Sequence, residues 1–433
     1  MRPLGGGHRM LGSRAAAMGI AFAVTRSAPL RRILAISICG LGAVLIGGST
    51  AVQAQNISCN SPSTAGIVSG FKWTPAALCS AVSSATAATS AVTTIDIAFL
   101  TQTSAFVGTP SNPQPDQMGS GFWIRGVGGQ NTISSTGNAT TTPNLLSLSA
   151  NSQERINFGG FQAGADLGRF NLGASGLNVV VGITGGLLDA TAHELIGSGT
   201  FGFSVPFVGG YVAATWGNFF ADVLVRDDFY DESVTAANFG VSNVGVRGNA
   251  VTVTGEAGYR YDFDRWFLEP SVGLIWSRLD LNSMSVPGTG SATVGADLGG
   301  VPPGVFSVNP IDSLIGRAGI RVGTSVTAGN INLQPFAAAS VWSEFAPDAT
   351  STFLTNQCPC GGTASLNISM TRVGTFGQFA LGTAAQLANT GWLGFVRADY
   401  RTGDDIHGWD VTGGIRYQFA WDTGRAPLVT KAK

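Results

Sequence analysis

From residue 119 onward, apolar and polar positions alternate with period two over most of the chain, the pattern of a half-buried strand. Val251, Val253, Ala257, Tyr259, Tyr261 and Phe263 share one face, and Thr252, Thr254, Glu256, Arg260 and Asp262 the other. Trp409 to Phe419 repeats it, with Trp409, Val411, Ile415, Tyr417 and Phe419 opposite Asp410, Thr412, Arg416 and Gln418. Twelve such strands are expected, near 119–129, 154–168, 177–189, 203–215, 219–231, 246–261, 266–280, 311–327, 331–345, 367–387, 392–401 and 409–419.

Alternation also occurs in soluble sandwiches, so two further features decide the class. Trp266 and Trp276 lie ten residues apart on one face, with Leu268, Val272 and Leu274 between them. Ten residues at about 3.3 Å span roughly 33 Å. Tilted by about 40°, that strand covers roughly 25 Å of membrane normal, the height of an outer-membrane apolar band between aromatic girdles. Trp409 and Phe419 have the same spacing, and Trp392 and Tyr400 nearly so. The connections also alternate in length. Trp216–Asn218, Asp262–Arg265 and Ala328–Asn330 are tight, whereas Gln130–Ser152, Leu281–Pro310 and Ala346–Leu366 are long. Short periplasmic turns and long extracellular loops mark bacterial outer-membrane barrels. In hydrocarbon an open sheet edge leaves backbone groups unpaired at several kcal/mol each, so strand 12 must close on strand 1. The expected fold is all-β, a closed twelve-stranded antiparallel transmembrane β-barrel over 119–419.

The same phase sends the charges inward. Asp222, Arg226, Glu256, Arg260, Glu269, Arg317, Arg321, Arg397, Asp399, Asp410 and Arg416 are the expected lumen lining. Trp266, Trp276, Trp392, Tyr400, Trp409 and Phe419 are expected at the lipid interfaces. Ahead of the barrel, segment 55–118 has a different character. Thr74 followed by Pro75 is a helix start. Ala76 to Val107 is rich in Ala, Ser and Thr with Asp96 as its single charge, and Gly108, Pro110, Pro113 and Pro115 follow. A slim helix over 74–107 is expected inside the lumen. There the hydroxyls of Ser80, Ser83, Ser84, Thr86, Thr89 and Ser90 would meet the polar wall, and Asp96 a lumen arginine.

Composition narrows the function classes. Charged residues make up 11% of the 433 residues, against a usual share of about 25%. Net charge is −1, so the chain lacks the electrostatic footprint of a nucleic-acid binder. Arg26, Arg31 and Arg32 precede the apolar run Ile33 to Ile46, and Ala51-Val52-Gln53-Ala54-Gln55 offers a small-residue cleavage site. Residues 1–54 therefore read as a secretory signal peptide. Past residue 54 no apolar run approaches the length of a membrane helix. Export favours paired cysteines, with Cys59–Cys79 and Cys358–Cys360 the expected pairs. Cofactors are not expected.

Several segments carry a resemblance. Gly121-Phe122-Trp123-Ile124-Arg125-Gly126 and Gly160-Phe161-Gln162-Ala163-Gly164-Ala165-Asp166 resemble the first two strands of autotransporter translocator domains. Gly255-Glu256-Ala257-Gly258-Tyr259-Arg260, followed by Phe267-Leu268-Glu269-Pro270, is the most specific match. Gln334-Pro335-Phe336, Glu344-Phe345 and Gly413-Gly414-Ile415-Arg416-Tyr417-Gln418-Phe419 extend it over about 119–419. The resemblance implies an outer-membrane barrel of a Gram-negative bacterium, monomeric, inserted by the barrel-assembly machinery among outer-membrane lipid and lipopolysaccharide. The segment ahead of the barrel is short, and the tail 420–433 follows the last aromatic. The implied role is therefore display or translocation of a minimal N-terminal segment. A porin-like channel for small solutes is the alternative. A barrel hydrolase using extracellular His193, Glu194, Asp404, Asp405 and His407 is a further one, weakened because no G-x-S-x-G nucleophile turn accompanies them. The chain is not expected to be an enzyme.

Overall fold

The computed structural model describes residues 75–99, 113–142, 147–289, 301–356, 363–388 and 390–420, with short paired segments at 55–56, 67–68, 71–72, 109–110 and 430–431. The signal peptide 1–54 lies outside the described residues, as do Cys59, Cys358 and Cys360.

Twelve wall strands follow in order. The first four are β1 Gln117–Thr142, β2 Ser147–Phe170, β3 Leu177–Glu194 and β4 Thr200–Trp216. Next come β5 Phe219–Ala236, β6 Val241–Tyr259, β7 Trp266–Leu281 and β8 Ile311–Thr324. The ring ends with β9 Ile331–Glu344, β10 Thr375–Leu387, β11 Trp392–Gly403 and β12 Ile406–Ala420. Each pairs antiparallel with its neighbour, and β12 closes on β1 from Ile406↔Ile133 to Ala420↔Gly119. Among the described residues no helix is long and apolar enough to cross a membrane. The wall crosses with strands whose ladders close around the ring, leaving no open sheet edge in hydrocarbon.

Alternation sorts the two faces. Phe161, Ile183, Val225, Leu274, Leu381 and Ile415 are exposed on the outside, while the residues between them turn into the barrel and are buried. The tight turns lie at one end. Trp216 pairs directly with Phe219, so Gly217 and Asn218 form a two-residue turn, and Gly217 sits at φ 58, as such hairpins require. Gly329, at φ 62, serves the same purpose between β8 and β9.

The other end departs from expectation. The segment 130–152, expected as a loop, continues as strand: β1 runs to Thr142 and pairs with β2 up to Thr140↔Ser147. The expected strand 367–387 is two elements, Ala364–Met370 and β10, parted by Gly374 at φ 61. The long loops contribute Met284–Val286, Gly304–Val308 and Ala349–Thr355, and these pair in series with Ala364–Met370 and then with the upper end of β1. The reason is the loss of lipid as an outer neighbour. Above the membrane both faces of a strand can be polar, so the ladder continues without the amphipathic pattern that reveals it.

The lipid-facing phase gives a stability test. Val272 is exposed on the outer face, pairs with Ala257 and Ala318, and lies near the middle of the stretch between Trp266 and Trp276. Val272→Arg should cost about 2–4 kcal/mol of unfolding free energy in a lipid bilayer, and Leu274→Arg, beside the Trp276 girdle, less. Ser271 faces inward, accepting from Arg317 at 3.2 Å, and Ser271→Arg should cost much less. Denaturant titration in liposomes measures all three, and equal costs at Val272 and Ser271 would invert the assigned faces.

Candidate functional site: the occupied lumen

A single helix, α1 Pro75–Ala98, fills the upper barrel. Every side chain from Cys79 to Phe99 is buried. Its contacts come from all sides. Asn131 of β1 donates to Thr94 at 3.3 Å, and Ser83 meets Ser152 of β2 at 3.0 Å and donates to Glu194 of β3 at 2.7 Å. Ser277 of β7 donates to Asp96 at 2.6 Å, and Asn238, beyond β5, donates to Ser80 at 3.1 Å. Apolar wall residues such as Ile133, Ile156, Leu188, Phe201 and Val205 pack with its Ala81, Ala85, Ala88 and Ile95 in one cluster.

A Ser- and Thr-rich segment is a poor helix former in water, and its burial here has a local cause. Ser84, Thr86, Thr89 and Thr93 donate to the carbonyls of Ser80, Val82, Ala85 and Thr89, one turn back. These hydroxyls are thus satisfied within the helix, leaving its surface small and smooth. The expected wall bonds of Ser84, Thr86 and Thr89 are corrected accordingly. The helix is also shorter than 74–107, ending at Ala98 with 24 residues, and 100–107 lie outside the described residues. At its end Arg125 of β1 donates to the Phe99 carbonyl, a cation placed where the helix dipole is negative.

The lower wall is a lattice of ion pairs. Arg416 grips Asp166 in a two-bond fork at 2.7 Å each. Tyr211 donates to the same Asp166 at 2.6 Å and accepts from the Trp123 indole at 2.8 Å. Arg317 pairs with Glu256 at 2.9 Å, Arg321 with Glu269 at 2.5 Å, and Arg260 lies 3.8 Å from Glu269. Arg397 Nε holds Asp399 at 2.7 Å, and Arg401 pairs with Asp410 at 2.5 Å. Arg226 bridges Asp96 of the helix, at 3.8 Å, and Asp228, at 2.5 Å. Asp222 is buried on the same inner face, opposite Glu256. The eleven residues assigned to the lumen lie on the inward phase of the wall, and among the described residues their ion pairs join wall residue to wall residue, apart from Arg226 with Asp96 of the helix.

Several partners were not singled out by sequence. Arg125, Asp166, Tyr211, Asp228 and Arg401 all take part. The period-two phase would have found Arg125 and Asp166, since both lie in strand motifs at inward positions. The six interface aromatics are exposed on the outer surface, Trp266 at 55% and Trp276 at 40%, so the phase separates them from the lumen set. Cys79 is disulfide-bonded.

His193 and His407 stand on one hydrogen-bonded row of the outer wall, with Thr132 and Arg155 between them. Three strand spacings of about 4.8 Å separate them by roughly 14 Å, too far for a shared proton-transfer pair.

Above the upper aromatics, outside the membrane-spanning part, the inner face carries Glu154, Glu194 and Glu232, all buried. Burial pushes Glu232 from its ordinary 4.5 up to about 8. Burial, then the charges of Glu194 and Glu232, push Glu154 well above the carboxylate range. The folded state thus binds these protons more tightly than the unfolded chain. Through Glu232, stability is full below about pH 4.5 and falls as pH rises towards about 8. Glu232→Gln should slow helix amide exchange at least about tenfold relative to the parent at pH 8.5, and change nothing at pH 4. The same pH slope in both proteins would remove Glu232 as the cause.

A closed antiparallel ring with lipid-facing aromatics, an ion-paired inner wall and one helix threaded through it defines a plugged outer-membrane barrel. The family model of the autotransporter beta-domain matches residues 122–399, and the chain belongs to that family. Among solved structures it is similar to the transport unit of the autotransporter AIDA-I from Escherichia coli, at 13% identity and a TM-score of 0.51, covering 78% of this chain and 98% of that one. It is also similar to the translocator domain of autotransporter NalP from Neisseria meningitidis, at 15% identity and a TM-score of 0.47, covering 79% and 99%. The beta domain of the Bordetella autotransporter Brka gives 21% identity and a TM-score of 0.46, covering 69% and 98%. At these identities the shared feature is the fold. No curated protein matches the chain.

Proposed function

We propose that this outer-membrane autotransporter barrel displays its own short N-terminal segment at the cell surface and remains closed by α1. The observation that carries this is the direction of the chain. Gln55–Asn56 pairs in parallel with Leu148–Ser149, at the end of the barrel opposite the tight turns. From that end α1 runs down the lumen to Arg125, and β1 then starts at Gln117 near the turn side. A segment exported through the barrel and left with its first residues outside has this path. The reading places the protein in the outer membrane of a Gram-negative bacterium, as a monomer delivered by the barrel-assembly machinery. Its role is transport and display rather than catalysis.

An epitope inserted between Gln55 and Asn56 should bind antibody on intact cells, while one inserted at Asp264–Arg265 should bind only after permeabilisation. The reverse pattern would overturn the orientation and the display role together.

A further inference from the structure

The outer wall just above the lipid-facing band contains a groove of about 440 Å³ that the lumen chemistry does not use. It crosses β3, β4, β5 and β6. Two hydrogen-bonded rows of outward positions form it. The upper row is Thr191, Gly202, Ser233 and Gly245. The lower row is Asp189, Ser204, Asp231 and Arg247. Glycine at two of the four upper positions thins the bed, with the Ser233 hydroxyl reaching over Gly202. A Cβ built on Gly245 meets nothing within 4 Å, so this end of the groove is open.

The wall directly below is apolar apart from Asp227, which pairs with Val208. Phe229 is the next outward residue under Asp231, and Pro206 and Val208 lie under Ser204; all are exposed to the lipid side. An acyl chain lying against Phe229 and Val208 therefore carries its headgroup into the groove. The surrounding chemistry specifies that headgroup. Carboxylates of Asp189 and Asp231, the hydroxyls of Thr191 and Ser204, and the Asn243 amide, which also lines the groove, are the acceptors and donors that hold sugar hydroxyls. Cations flank it laterally. Arg247 lies in the lower row on β6, and Arg155 on β2 stands opposite His193, one outward step past Thr191. Arg155 and Arg247 are both exposed, and guanidinium groups recognise phosphate in a fork. Four strand spacings of about 4.8 Å, with Arg155 four residues higher on the wall than Arg247, separate their backbones by roughly 23 Å, and both side chains are long.

We propose that this groove binds the phosphorylated saccharide headgroup of an outer-leaflet glycolipid, with the sugar over Gly202 and Gly245 and phosphates on Arg155 and Arg247. The proposal rests on the surface orientation given above, and the test keeps the two apart. The full-length protein in mixed micelles is titrated with bisphosphorylated lipid A, with its dephosphorylated form and with phosphatidylglycerol. Lipid A should bind at least about tenfold tighter than either of the others. Gly245→Trp, which fills the groove without meeting the wall, should remove that preference, and Arg247→Gln should reduce it. Binding of phosphatidylglycerol should be unchanged in both variants. Equal binding of all three lipids, or a preference that survives Gly245→Trp, would overturn the site. Equal binding of the two glycolipid forms would overturn the phosphate contacts and with them the proposal. The epitope at Gln55–Asn56, read in the same variants on cells, reports orientation separately. An exposed epitope without lipid A preference would sink the groove and leave the display reading standing.

Discussion

Deleting residues 56–108 should convert a closed barrel into an open channel, raising single-channel conductance in planar bilayers at least about tenfold, because a twelve-stranded ring encloses room for a helix and its removal leaves water. The helix of 24 residues is about 36 Å long at 1.5 Å per residue, so it occupies the upper lumen down to the level of Arg125. The wall does not depend on it for closure. The β12–β1 ladder and its neighbours pair backbone to backbone, and Arg416–Asp166, Arg317–Glu256 and Arg321–Glu269 join wall strand to wall strand. Heat-resistant compact mobility on gels should therefore survive the deletion. Some stability will be lost, since Ile133, Ile156, Leu188 and Phe201 now face the helix and would face water. A parent protein that already conducts as well as the deletion variant would overturn the plug and favour the porin-like channel. A deletion variant that stays closed would assign closure to the ion-pair layer around Arg416 and Asp166.

The membrane-spanning half of this fold was legible because lipid imposes a strict code. Leu274 and Trp276 must be apolar outside, and Arg317 and Glu256 can be charged only inside, so period-two phase locates both sets. The code stops where the lipid stops. Between Gln130 and Thr142 the outward residues are Thr132, Thr136 and Asn138, and the inward ones include Asn131, Ser135 and Gly137. Neither face is consistently apolar, yet the ladder runs on. Gly137 is small for a reason invisible in sequence: a Cβ there would lie 2.3 Å from Val82 of the helix. Which arginine meets which acid is likewise hidden, because register and barrel closure set it. Arg416 and Asp166 are 250 residues apart and are neighbours only because β12 returns to β1 beside β2. The lumen helix was legible from Thr74-Pro75 and from its small residues, but its end was not, because Arg125 on the wall meets the Phe99 carbonyl there.

Asp96 should prove to be the residue that fixes how far the helix enters, and three substitutions separate its roles. Asp96 is the only charge of α1 and is buried. Its Oδ2 accepts from Ser277 at 2.6 Å, and its Oδ1 lies 3.8 Å from Arg226. Arg226 is held more tightly by Asp228, at 2.5 Å, and Thr252 donates to Asp228 at 2.8 Å. The Arg226 guanidinium also stacks 4.9 Å from Phe207, whose ring lies 5.5 Å from Phe99 at the helix end. Two acids thus share one cation in a buried site. Asp96→Asn keeps an acceptor for Ser277 and leaves Arg226 paired with Asp228, so it should change helix stability by less than about 1 kcal/mol. Asp96→Leu leaves the Ser277 hydroxyl and one side of Arg226 without a partner and should cost about 2–3 kcal/mol. Asp96→Arg places a second guanidinium against Arg226 in a filled lumen. Overpacking alone costs about 1–3 kcal/mol, and the unpaired buried charge adds about 3–5 kcal/mol more. That sum approaches the whole stability of a small domain, so the helix should leave the lumen while the wall stays closed on itself. Conductance of Asp96→Arg should then match the 56–108 deletion, and helix amides should lose their protection from hydrogen exchange. Equal conductance and protection in the Asn, Leu and Arg variants would show that Asp96 does not key the helix, and its position would then be set by the Ala packing alone.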